Sequence, residues 1–145
     1  MAGDPDNTDP NQKGNIRGDA YGSPDGLWFD QRGILWTQTD ISSGALGKGA
    51  YSRITNNMMF AADPVSREFR RFLIGPNGCE VTGVDLTPDY KTMFVNIQHP
   101  GESPSERSNP DKPKAFSDWP DRKLFSRPRS ATIAIWREDG KPVGS

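Results

Sequence analysis

Apolar residues in this chain come in short runs bounded by turn residues, and no stretch reads convincingly as a helix. Gly26-Leu27-Trp28-Phe29 and Ile34-Leu35-Trp36-Thr37-Gln38-Thr39-Asp40 are separated by Asp30-Gln31-Arg32-Gly33, which predicts a hairpin over residues 26–40. Met58–Ala62 and Phe69–Ile74 flank Asp63-Pro64-Val65-Ser66, a good type I turn sequence. A third pair, Val81–Leu86 and Thr92–Gln98, turns at Thr87-Pro88-Asp89-Tyr90-Lys91. Ala131–Trp136 is the last clear strand, followed by a turn at Arg137-Glu138-Asp139-Gly140. Ile41 to Arg53 is rich in Gly, Ser and Lys and reads as a long functional or disordered loop. Pro, Ser, Asp and Lys mix through residues 100–128, so irregular backbone is expected there.

The pattern also repeats. Gly26-Leu27-Trp28-Phe29 aligns with Gly83-Val84-Asp85-Leu86, 57 residues further on, with the Met58–Ile74 hairpin between them. Hairpins recurring at such a period suggest the blades of a β-propeller. The expected fold is therefore all-β, with antiparallel hairpins forming about two to three propeller blades and long irregular loops. Rings of this kind close with about 4–8 blades, so a chain of this length would leave sheet edges open unless other blades cover them. Residues 1–20 read as an N-terminal loop or arm, and 21–145 as the partial propeller. Trp28, Trp36, Phe72, Phe94 and Trp136 are expected in the core or in packing between blades.

Composition narrows the function classes. The chain has 145 residues, enough for one domain, but only 32% are hydrophobic. A net charge of -1 gives no global drive toward nucleic acid or an anionic membrane. No apolar run approaches the roughly 20 residues that span a bilayer, and Met1 to Ala20 is too polar for a signal peptide. The single cysteine, Cys79, excludes an intrachain disulfide and most simply fills a small apolar site.

Chemistry concentrates at strand ends. Glu80 opens one predicted strand and His99, the only histidine, closes its partner, so the hairpin brings them together. Asp25 and Asp40 flank the first hairpin in the same way. Such oxygen-bearing ends are where an all-β protein can assemble a metal or phosphate site. A carboxylate between Cys79 and Val81 is costly to bury unless it meets a cation or a donor. The bland readings stand beside these: Ser-Pro-Asp-Gly around Asp25 is also an ordinary turn, and His99 is also a satisfied loop residue.

Longer motifs carry a resemblance. Ser23 to Asp30, Leu35 to Asp40, Gly78 to Gly83, Met93 to Gly101 and Arg127-Pro128-Arg129-Ser130-Ala131-Thr132 together resemble the C-terminal part of PhoX-type alkaline phosphatases, from about Gly18 onward. The resemblance implies a β-propeller that hydrolyses phosphomonoesters with iron and calcium, and export by the twin-arginine route to a periplasmic or secreted location. It implies Asp25, Asp40 and Glu80 as metal ligands. Arg127 foremost, with Arg129, would grip phosphate oxygens, while His99 would steady a carboxylate or meet the phosphate. Its partners would be a phosphomonoester, phosphate and the remaining blades of the parent propeller, and the isolated segment is expected to show weak phosphatase activity or none. The family's iron-binding cysteine lies N-terminal to the matching segment, so Cys79 does not inherit that role. Two alternatives are a calcium-dependent propeller lactonase, suggested by Pro24-Asp25-Gly26-Leu27, and a propeller segment that only binds partners.

Overall fold

The computed structural model describes residues 2–103, 109–123 and 126–145. Its strands, in chain order, are β1 (Ala2–Gly3), β2 (Arg17–Gly18), β3 (Tyr21–Gly22), β4 (Pro24–Phe29), β5 (Leu35–Thr39), β6 (Met58–Asp63), β7 (Glu68–Ile74), β8 (Glu80–Leu86), β9 (Thr92–Gln98) and β10 (Ala131–Trp136). Among the described residues the only helical element is a single 3-10 turn, Gly49–Tyr51. The fold is all-β. All three expected hairpins form, β4–β5, β6–β7 and β8–β9, each antiparallel.

The strands make a five-stranded sheet in the order β2-β7-β6-β5-β4, a three-stranded sheet β10-β9-β8, and a small β1-β3 ribbon. β2 lies parallel to β7, so the polar arm adds a strand to the edge of the larger sheet. The two larger sheets meet through one apolar core. Trp36 and Met59 come from one sheet, and Val81, Met93, Val95 and Ile97 from the other. β9 shows why: Met93, Val95 and Ile97 are buried while Phe94, Asn96 and Gln98 are exposed, the two-residue period of a strand with one covered face.

A second core lies on the far side of the five-stranded sheet. Met58, Phe60, Ala62 and Phe69 pack there against Ile41, Ile54 and Tyr51 of the long loop, with Tyr21 stacked on Phe69 at 4.4 Å between ring centroids. The segment from Ile41 to Arg53, expected to be functional or disordered, therefore covers apolar surface. Two of the aromatic residues expected in the core or between blades lie outside this core: Trp136 is 65% and Phe94 is 41% exposed, because no other sheet among the described residues covers the outer face of β9 and β10.

The internal repeat holds in three dimensions. The β4–β5 pairing slips between Pro24 and Leu27, and the β8–β9 pairing slips between Thr82 and Val84. Each slip is a β-bulge that contains the aligned glycine, Gly26 or Gly83. Three paired residues then run to each turn, Leu27–Phe29 against Leu35–Thr37 and Val84–Leu86 against Met93–Val95. Gly83 has φ +60°, and a Cβ there would press on the Asn96 carboxamide at 2.7 Å. A Cβ on Gly26 would meet the Gln38 carboxamide in the same way.

The turns of the two repeated hairpins lie together. The Asp30 side chain is fully buried and accepts hydrogen bonds from the Trp36 indole (3.1 Å), the Arg32 guanidinium (2.6 Å) and two backbone amides. Arg32 lies 4.6 Å over the Tyr90 ring, whose hydroxyl bonds Gln31 at 2.9 Å. The C-terminal tail plugs the same end, with Val143 buried and its amide bonded to the Tyr90 carbonyl at 2.8 Å.

Candidate functional site

The opposite ends of these hairpins are polar. Glu80 and Gln98 face each other across the β8–β9 ladder, and Gln98 Nε2 donates to Glu80 Oε2 at 2.8 Å. His99 Nε2 lies 3.4 Å from the same oxygen. The Glu80 side chain is 12% exposed, and its second oxygen accepts no hydrogen bond among the described residues.

His99 ends its strand in the left-handed region, at φ +38°, a conformation uncommon for non-glycine residues. That turn sends the chain back through Pro100-Gly101-Glu102. Glu102 N bonds the carbonyls of His99 and Gly78, and Gly101 N bonds that of Asn77, so the loop is stitched to the turn preceding Glu80. Gly78, at φ +63°, permits this approach: a Cβ there would sit 2.5 Å from the Glu102 carbonyl oxygen. Glu102 Oε2 reaches within 3.9 Å of His99 Nδ1, which is buried and makes no hydrogen bond among the described residues.

Asp40 reaches this corner through Asn57. The buried Asn57 carboxamide accepts from Ile41 N (2.7 Å) and Thr39 Oγ1 (3.0 Å), and donates to the carbonyls of Ile41 (3.0 Å) and Cys79 (2.9 Å). It ties the end of β5 to the residue preceding β8. Asp40, Cys79, His99 and Glu102 consequently share one crevice. Burial pushes the Cys79 thiol up to about 12, so it is protonated near neutral pH.

Beyond His99 opens a cleft of about 800 Å³, walled by Glu102, Lys112, Phe116, Arg127 and Pro128. Arg127 lines the same cleft as His99. Arg129 points its guanidinium elsewhere, into a two-pronged pair with Asp121 at 3.0 Å on each arm. Asp25 lies exposed in the β4 bulge and does not wall the crevice. Structural alignment of the two bulges pairs Glu80–Gln98 with Ser23–Asp40, since Asp40 N bonds the Ser23 carbonyl (3.1 Å), so Asp25 is not the counterpart of Glu80. Among the described residues no three His, Cys, Asp or Glu side chains approach closely enough to hold one metal ion.

The structure thus brings Glu80, His99 and Asp40 to one corner, beside a cleft that Arg127 also lines, and leaves Asp25 and Arg129 apart. Sequence reasoning missed Asn57 and Gln98 as parts of the site. Gln98 was available from strand pairing, being the residue opposite Glu80; Asn57 carried no local signal.

Residues 1–101 match the protein family described as Alkaline phosphatase PhoX. The match takes in the N-terminal arm, and Arg127 to Thr132 lie beyond it. Among solved structures the chain is similar to Pseudomonas fluorescens PhoX in complex with vanadate, a transition state analogue, with 46% identity and a TM-score of 0.70. That likeness covers 83% of this chain and 19% of the other, so the chain spans about a fifth of its relative's length. No curated protein matches. The chain is all-β, and the family match spans most of it. It belongs to the PhoX alkaline phosphatase family.

Proposed function

We propose that this chain forms blades of a β-propeller phosphomonoesterase and supplies part of its metal and phosphate site, in a protein exported by the twin-arginine route to the periplasm or beyond. The observation that carries the reading is the Glu80 corner. A largely buried carboxylate holds one oxygen on Gln98 and keeps the other without a hydrogen-bond partner among the described residues, which suits a hard cation. Glu80 would therefore be a ligand, with Asp40 beside the same corner and Asp25 further along β4. These donors are too scattered to complete a site by themselves, so others must come from outside the described residues. The similar solved protein's complex with vanadate supports phosphoryl chemistry for the family.

Calcium and iron, when bound, would neutralise phosphate charge and lower the cost of charge build-up during transfer. The protein's own residues do the rest. Gln98 and His99 fix the rotamer of Glu80, and the loop stitched through Gly78 holds His99 in place. Arg127, free of ion pairs among the described residues, presents its guanidinium to the non-bridging oxygens of a phosphoryl group. Arg129 orders the loop through Asp121, and its guanidinium is already engaged.

The test is Glu80→Gln in the full-length protein, with bound iron and calcium measured by elemental analysis beside hydrolysis of a simple aryl phosphate. Metal content should fall, and turnover should drop on the order of 100-fold or more, as when a charge-stabilising group is removed. Unchanged metal and unchanged turnover would make Glu80 structural and remove the basis of the proposal.

A further inference from the structure

The cleft beside His99 is larger than a phosphate requires. At about 800 Å³ it falls within the range of pockets that hold whole organic ligands, roughly 300–1,000 Å³. Its far wall is built in place: Asn77 Nδ2 donates to the Phe116 carbonyl at 3.0 Å, and Gly101 packs so closely on Ser117 and Pro128 that a Cβ would sit 3.0 Å from the Ser117 side chain. Phe116, Pro113 and Pro128 give that wall apolar surface. Among the described residues its charge is uneven. Glu102 turns its carboxylate toward His99 and Ser43, whereas Lys112 and Arg127 make no ion pair or side-chain hydrogen bond among the described residues.

We infer that this cleft receives the alcohol portion of the phosphoester, and that Lys112 selects esters whose alcohol portion bears a second anionic group. The inference rests on the phosphatase reading and adds the substrate class to it. With the phosphoryl group held by His99 and Arg127, the leaving group occupies the cleft that Phe116 and Lys112 also line. An ammonium on a flexible stem recognises negative charge without demanding one shape, so carboxylate and phosphate substituents are both accepted. Asn109 and Pro110, which also line it, add no charge.

Two esters with one three-carbon skeleton test this: 3-phosphoglycerate, which carries a carboxylate, and glycerol 3-phosphate, which does not. The full-length protein should prefer the first in kcat/KM. Lys112→Ala should cost about tenfold on 3-phosphoglycerate, about 1.4 kcal/mol, and no more than about twofold on glycerol 3-phosphate, a difference that removing one cleft charge would produce. Lys112→Arg should retain the preference, which separates lost charge from a damaged loop. Equal losses on both esters, or no preference in the parent protein, would overturn the inference. If neither ester turns over, the phosphatase reading fails instead. Calorimetric binding of the two esters then decides for the cleft alone: tighter 3-phosphoglycerate binding that Lys112→Ala abolishes supports it, and equal affinities refute it.

Discussion

Replacing Asp30 should unlatch the turn end of the sheets. Its carboxylate is fully buried and receives Trp36 Nε1 at 3.1 Å, Arg32 Nε and Nη2 at 3.0 and 2.6 Å, and the amides of Arg32 and Ile34 at 2.9 and 3.1 Å. Asp30→Ala strands three neutral donors, one of them an indole inside the core, at about 1 kcal/mol each. The Arg32 side chain is 24% exposed and regains water, so its share is discounted to about 1 kcal/mol. The total is about 3–5 kcal/mol, a large part of the ~5–15 kcal/mol that holds a domain together. Urea unfolding followed by tryptophan fluorescence reads it directly, because Trp36 loses its polar partner and its edge contact with Phe72 together. Burial opposes the charge on Asp30, but the bonds from Trp36, Arg32 and the two amides outweigh it and hold its carboxyl below the usual range. Its contribution is therefore complete above the unfolded aspartate value, near ~3.9, and is lost as pH falls through the folded value. Asp30→Ala should flatten that acid limb. A variant within about 1 kcal/mol of the parent, with the acid limb unchanged, would refute the reasoning.

Asn57→Ala should cost about 2–4 kcal/mol in the same unfolding assay, since it strands groups on Ile41, Cys79 and Thr39 at once. Gly78→Ala forces a side chain onto the Glu102 backbone; displacing the His99 loop, it should lower phosphate-ester turnover of the full-length protein on the order of tenfold or more. Cys79 should resist thiol reagents at pH 8 until denaturant is added, because the thiol is buried and its pKa is about 12; rapid native labelling would contradict its placement. The chain by itself should hydrolyse aryl phosphates weakly or not at all, which a metal-supplemented assay checks, because its carboxylates do not gather around one ion.

Much of this was legible because it is local. A strand announces itself by the two-residue period of Met93, Val95 and Ile97, and a turn by Asp63-Pro64, so the hairpins and their order followed from short windows. Even the alignment of Gly26 with Gly83 marked two real bulges. What escaped is long-range. Nothing near Arg17 says that it pairs in parallel with Glu68, and the polar loop after Asp40 gives no sign that Ile41 and Ile54 close a core. The Glu80–His99 corner came from topology alone, whereas the fate of Arg129 depended on Asp121, eight residues away in a stretch without periodicity.

The Asp30 latch and the Glu80 corner occupy opposite ends of the same hairpins, separated by strands of six or seven residues, about 20 Å. Perturbations that far apart and sharing no partners combine almost additively. The molecule is in this sense bipolar, with separate contacts holding each pole. Exchanging residues along the cleft leaves the Asp30–Trp36–Tyr90 cluster untouched, so changes there and changes at the latch report independently.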